Sequence, residues 1–313
     1  MTFYTRNQIV LAKIESTYGT DPTPVEGSNA ILTKNLQRTI YDGNRVQRDL
    51  NLPYMGNDFS INTAPFVTVT FDVELAGSGD AGVAPQFGEL LRACGLDETV
   101  VAETSVTYAP VSQSFESVTL YYNFDGEMQK VIGARGTATL NMSRGQIPMI
   151  SFSFTGRYAK PTAVTQYDPT YTDTVPFPFN SYNTTTFSLH SQAVYGSSFS
   201  LNLGCNVIHR NLAGYDGVQI TDRAPTGSAE FEAVAIATKD FFTAAQSHLG
   251  TVVEGALSIV HGSGAGKICT ITASQTQIAN ITEADSDGIR MFNTELIFVP
   301  TDSGNDEFSI AFT

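Results

Sequence analysis

The sequence predicts a mainly β protein, and three observations carry the prediction. Short runs alternate apolar and polar residues, the pattern of strands with one buried face. Phe (20), Tyr (13) and Gly (26) are plentiful while Trp is absent, and the aromatics stand among Val and Thr, the residues that suit a pleated, half-buried surface. Asp-Gly and other turn dipeptides separate the runs.

Gln8–Glu15 opens the chain as a strand, and Tyr18 to Pro24 is too rich in Gly and Pro to be helical. Residues 27–65 are polar and irregular, with strand-like pieces near Ile31–Leu36 and with Arg38, Arg45 and Arg48 as the chain's basic cluster. Such a long irregular segment is expected to be a functional arm. Phe66–Leu75 alternates cleanly: Val67, Val69, Phe71, Val73 and Leu75 share one face, Thr68, Thr70, Asp72 and Glu74 the other. Gln86–Cys94 reads as a short helix with Phe87, Leu90, Leu91 and Cys94 on one side. Ser117–Phe124 and Glu127–Gly133 flank the Asp125-Gly126 hairpin turn, and Arg135–Met142 and Ile147–Tyr158 are two further strands.

Residues 161–183, with four prolines, read as a linker. Beyond it, strands are expected at Thr185–His190, Ser198–Leu203, Gly227–Ala237, Val252–His261, Lys267–Ala273, Gln277–Thr282, Ile289–Val299 and Glu307–Phe312. Lys239–Leu249, capped by Gly250, is a second short helix. The order of elements repeats, and Phe71-Asp72-Val73-Glu74 precedes its helix as Ala229-Glu230-Phe231-Glu232 precedes its own. A length of 313 residues suits two domains. The reading is a duplication: residues 1–160 with the arm 27–65, the linker 161–183, and residues 184–313, each half with one helix.

The net charge is −14, from 17 Lys+Arg against 31 Asp+Glu. The first 160 residues hold 12 basic and 16 acidic residues and the remainder 5 and 15, so the halves carry −4 and −10. That balance excludes a free-standing nucleic-acid binder, which needs a basic face. Apolar runs fall short of the ~18 residues of a membrane helix, and Arg6 and Lys13 interrupt the N-terminus, which does not read as a signal peptide. Cys94, Cys205 and Cys269 form no paired motif and are expected as buried free thiols.

Apparent chemical motifs fail on context. Gly77-Ser78-Gly79-Asp80-Ala81-Gly82 spells the dinucleotide pattern, but an alternating strand precedes it where a fully apolar one is needed. His261–Lys267 lacks the first glycine and the hydroxyl residue of a phosphate loop. Glu283–Gly288 resembles the start of a calcium loop, but its twelfth position is Thr294 and strands flank it. The four histidines make no metal pair, and no nucleophile elbow occurs. Asp72 with Glu74, and Glu230 with Glu232, are paired carboxylates on strand faces, better read as solvated than as acid–base groups. No catalytic, metal or cofactor site is expected, and the chain reads as a non-enzyme.

Residues 117–158 (SVTLYYNFDGEMQKVIGARGTATLNMSRGQIPMISFSFTGRY), the N-terminal Glu15-Ser16-Thr17-Tyr18-Gly19-Thr20-Asp21-Pro22-Thr23-Pro24, and 201–233 (LNLGCNVIHRNLAGYDGVQITDRAPTGSAEFEA) together resemble the tail tube proteins of long-tailed bacteriophages. The resemblance implies β-barrel or sandwich domains, each with a flanking helix, that form rings stacking into a hollow virion tail tube for DNA. Two tube domains per chain imply a homotrimeric, pseudo-hexameric ring, with a homohexamer as alternative. Partners implied are the tape-measure protein and tail-terminator or baseplate proteins, with synthesis in the bacterial host cytoplasm, DNA passing without specific binding and no membrane. Under this reading Asp72, Glu74, Glu230 and Glu232 are lumen-facing candidates, and Arg38, Arg45 and Arg48 bridge rings. The rival is a tail-associated host- or carbohydrate-binding β module, a decoration or fibre protein, for which Tyr121, Tyr122 and Tyr158 would supply an aromatic patch.

Overall fold

The fold turns on one long strand that belongs to two sheets. A computed structural model describes residues 4–171, 174–248 and 250–313. In chain order the first elements are β1 (Gln8–Ile14), β2 (Ala30–Ile31), β3 (Lys34–Asp42), β4 (Arg45–Gln47), β5 (Ser60–Asn62), β6 (Phe66–Glu74) and α1 (Gly88–Ala93). Next come β7 (Leu96–Val101), β8 (Ser105–Pro110), β9 (Val118–Phe124), β10 (Glu127–Ser143), β11 (Met149–Arg157) and β12 (Thr162–Ala163). The second half holds β13 (Thr184–Leu189), β14 (Gln192–Ala193), β15 (Gly196–Asn202), β16 (Cys205–Leu212), β17 (Tyr215–Arg223), β18 (Thr226–Glu232) and α2 (Phe241–Ala245). It ends with β19 (Glu254–His261), β20 (Cys269–Ser286), β21 (Ile289–Phe298) and β22 (Ser309–Phe312).

The fold is mainly β, built from large antiparallel sheets as in a β-sandwich. β10 begins beside β9, which pairs with β1. A one-residue bulge between Val131 and Ala134 turns it, and its remainder pairs with β11, which pairs with β6 and so with β3. The extra residue re-aims the strand, and Gly133, at φ +64°, takes the backbone conformation this requires. β20 does the same in the second half. It begins beside β19, which pairs with β13, then steps by one residue between Ala273 and Thr276 and runs on beside β21, β18 and β15. Hairpins β4–β5 and β16–β17 occupy the same place in the two schemes, as do β12 and β22. The β7–β8 hairpin stands outside the correspondence; it pairs with β22.

The halves are joined edge to edge: Thr139–Ser143 of β10 pair with Ser198–Asn202 of β15. The ladder thus runs β3–β6–β11–β10–β15–β18–β21–β20, and a single buried apolar cluster extends through both halves. On its core face Phe71 meets Phe152 and Phe154 at 5.8 and 6.0 Å. Phe231 meets Phe292 at 6.1 Å, with Phe241 of α2 closing over Phe231 at 5.2 Å. Each buried Phe contributes about 1.5–3 kcal/mol relative to exposure.

Several boundaries differ from the sequence reading. Glu127–Gly133 and Arg135–Met142 are one strand, as are Lys267–Ala273 and Gln277–Thr282, because a bulge interrupts periodicity without ending the strand. The second helix stops at Ala245, where Gln246 takes extended angles; Leu249 lies outside the described residues. The segment 27–65 is not irregular throughout: it contains β3, an edge strand exposed along most of its length and therefore without an apolar period. Hairpins β7–β8 and β16–β17 also lie where no strand is expected.

Candidate functional site

The outward face of the long ladder is built from short polar side chains. Because side chains alternate, the residues between the buried ones of β6 all point away from the core: Thr68, Thr70, Asp72 and Glu74. In β18 the same alternation places Ser228, Glu230 and Glu232 outward and buries Ala229 and Phe231. The register makes the two pairs equivalent, since Asp72 pairs with Ser151 and so with Thr139, and Glu230 with Asn293 and so with Thr282.

One row of this face can be followed through seven strands: Glu74, Met149, Asn141, Ser200, Ser228, Glu295 and Asn280. Ser200 and Ser228 are joined within it, Oγ to Oγ at 2.9 Å. Asp72 accepts a hydrogen bond from Asn35 Nδ2 at 2.7 Å, and Glu230 one from Ser197 Oγ at 2.5 Å. Lys34 Nζ approaches Glu74 at 4.0 Å with both side chains largely exposed, a pair of small energetic weight. The four predicted carboxylates therefore share one sheet face, hydroxylated and acidic, that crosses from one half to the other.

The three arginines part company. Arg38 points to the core side of β3 and its side chain is only 7% exposed. Its guanidinium lies 4.2 Å above the Tyr122 ring, donates to Gln129 Oε1 at 3.1 Å and stands 3.8 Å from Glu127; burial lowers its pKa. Arg45 and Arg48 are exposed on and beside the β4–β5 hairpin, over the rings of Tyr41 and Phe59 at 5.7 and 5.5 Å. That hairpin segment also exposes Val46, Leu52, Tyr54, Met55 and Phe59. Its counterpart β16–β17 packs across β10 and β11, whereas β4–β5 has no comparable packing among the described residues.

The aromatic patch of the binding-module reading does not form. Tyr121 and Tyr122 are buried, and Tyr158 is half-buried against Tyr41 at 5.0 Å. The two glycine-rich loops have another use. Gly79 N–H donates to Gly266 O at 3.1 Å, and side chains at Gly77 or Gly266 would strike the facing backbone. Residues 77–82 and 261–267 are thus docking partners across the two halves, a role spacing alone cannot reveal.

The N-terminal motif is explained by Glu15. Its carboxylate is buried and accepts from Gly19 N, Ser117 Oγ, Thr119 Oγ1 and Gly133 N at 2.6, 2.6, 2.6 and 2.7 Å. It therefore fixes the β10 bulge from the end of β1. Tyr18, with Arg135 4.8 Å from its ring, and Asp21, with Lys130 Nζ at 2.8 Å, brace the same region. Asp21 and Tyr121 push the Lys130 ammonium up to about 12.

Sequence reasoning missed the open sheet edges. Among the described residues β3 is paired only with β6, and the last part of β20, beyond Ile278, only with β21. The missing signal is that edge strands are polar on both faces.

An acidic, hydroxyl-lined sheet with open edges defines an assembly subunit: it offers surfaces to copies and partners, and no gathered catalytic set is present among the described residues. The chain belongs to the phage tail tube protein family, whose description is "Phage tail tube protein" and which it matches over residues 5–305. No curated protein matches the chain. Its role is structural, in the virion tail, where the family self-assembles into the tube and associates with other tail proteins.

Proposed function

We propose that the chain carries two tube domains, residues 1–160 and 184–313 joined by 161–183, and that three chains form a ring with six-fold pseudo-symmetry. What supports this is the repeated pairing scheme, above all the long bulged strands β10 and β20 with equivalent neighbours. The ring is a non-enzymatic conduit, synthesised in the host cytoplasm, whose ends meet tail-terminator or baseplate proteins and whose bore holds the tape-measure protein before DNA passes.

The face bearing Asp72, Glu74, Glu230 and Glu232 lines the bore. Phosphates are repelled by fixed anions, whereas a basic wall would bind them with release of counterions. The arm carries Arg45 and Arg48 on its exposed hairpin to the next ring, while Arg38, already engaged, holds β3 to its own chain. Mass measurement of a single ring tests the count: three chains support the reading, and six refute it. Carboxylate labelling of intact tubes tests the lumen. Protection of the four carboxylates from a reagent too large to enter supports the assignment, and full labelling overturns it.

A further inference from the structure

The joint between the two halves is a template for the joint between chains. We infer that β3 of one copy pairs antiparallel with the last part of β20 of the next, with Thr39 opposite Thr282, Arg38 opposite Glu283 and Gln37 opposite Ala284. This rests on the tube reading and adds to it the edge, the direction and the register.

The equivalences follow from the ladder. Counted from the bulges, Ala134 of β10 matches Thr276 of β20, and β20 carries one further inserted residue between Ile278 and Asn280, so Thr139 and Thr282 hold the same position; through Ser151 and Asn293 they reach Asp72 and Glu230. Asn202 pairs with Thr226, four residues before Glu230, and Thr39 pairs with Thr68, four before Asp72. Asn202 and Thr39 therefore correspond. Within the chain Thr139 pairs with Asn202. The same joint made again places Thr39 opposite Thr282.

Both strand edges needed for it are vacant among the described residues. Residues 279–286 of β20 are mostly exposed and paired on one side only, whereas the equivalent part of β10 is flanked by β11 and β15. β3 is likewise paired on one side. These edges stand at opposite ends of the eight-strand ladder, so within one chain they cannot satisfy one another. Open edges pair with other strands unless blocked, and a contact between two different edges of identical chains is heterologous and closes into a ring when the rotation allows.

Charge fits the pairing. Lys34 and Arg38 lie on β3, and Glu283, Asp285 and Asp287 lie at or beside the end of β20, the end toward which Lys34 runs in this register. Opposite charges directly across antiparallel strands stabilise the pair. Glu283, which bonds Arg290 in the single chain, arrives beside Arg38, whose approach to Glu127 is 3.8 Å.

The test is disulfide trapping. Thr39 and Thr282 are exposed, so Thr39→Cys with Thr282→Cys leaves the fold intact; unchanged melting of the unassembled protein verifies this. Directly opposite residues have Cα atoms about 4.5–5.5 Å apart, within disulfide range. The control, Thr39→Cys with Ser286→Cys, displaces one thiol by roughly 13 Å along the strand. The native Cys94, Cys205 and Cys269 are buried. After mild oxidation of assembled protein, the first variant is expected to shift from monomer to a covalent ladder ending at the ring's copy number, with the control remaining monomeric. Tubes that form, as seen by electron microscopy, with no more cross-linking in the first variant than in the control overturn this joint and leave the tube reading standing. Wild-type protein that forms neither rings nor tubes overturns both.

Discussion

Glu15→Ala is the perturbation whose cost is best defined by the structure. The carboxylate closes the β10 bulge through four short hydrogen bonds, two from backbone N–H groups of Gly19 and Gly133 and two from the hydroxyls of Ser117 and Thr119. After truncation the hydroxyls can rotate to other acceptors, but the two N–H groups cannot move without moving the backbone. An unsatisfied buried donor costs about 1–3 kcal/mol, so the variant should lose roughly 2–6 kcal/mol. Glu15→Gln keeps one carbonyl oxygen but turns an N–H₂ group toward donors, and should fall between Ala and wild type. The assay is urea unfolding of the unassembled protein, reading the midpoint at constant slope. A loss below about 1 kcal/mol for Ala, or equal losses for Ala and Gln, would refute the view that the carboxylate organises the bulge.

Three further predictions follow from separate features. Gly266→Ala forces a Cβ against the backbone of Asp80 at a positive φ, so it should undock loops 77–82 and 261–267 and raise their amide exchange; unchanged exchange there counts against the docking role. His190 and His261 are buried, and burial lowers the pKa of each from 6.5. Their contribution is therefore complete above the unfolded value and declines as pH falls through it toward the depressed folded values. Thermal stability should drop as the pH falls through the unfolded histidine value of 6.5, and replacing both histidines by Asn should flatten that slope. Arg45→Glu with Arg48→Glu should leave the unassembled protein's melting unchanged and abolish tube elongation; tubes of normal length would remove the arm from assembly.

Much of the fold was legible where a strand has one buried and one wet face. β6, β11 and β18 alternate without a break, and their outward Asp72, Glu74, Glu230 and Glu232 were readable for the same reason. β10 and β20 read as two strands each, because the bulge shifts the period by one residue in mid-strand. β3 was hidden by its position at an edge, where Asn35, Gln37, Thr39 and Tyr41 all remain exposed. β7 was hidden by an acidic start, Asp97-Glu98, that makes sense only once Glu98 receives the Tyr108 hydroxyl at 2.6 Å. Arg38 could not be told from Arg45 and Arg48, since which side of β3 it occupies depends on register against Val69.

The β10–β15 joint has a consequence for how assembly begins. Because one chain contains that joint already made, its two strands meet as parts of the same molecule, not at the concentration of free protein. Each molecule then enters solution with one vacant edge of each kind instead of two. Fewer encounters are needed to complete a closed circle, and fewer unsaturated strands are on display beforehand. On the proposed three-chain ring, two tube domains in one chain lower the order of the nucleation reaction while restricting the routes by which newly made subunits can stick to one another at random.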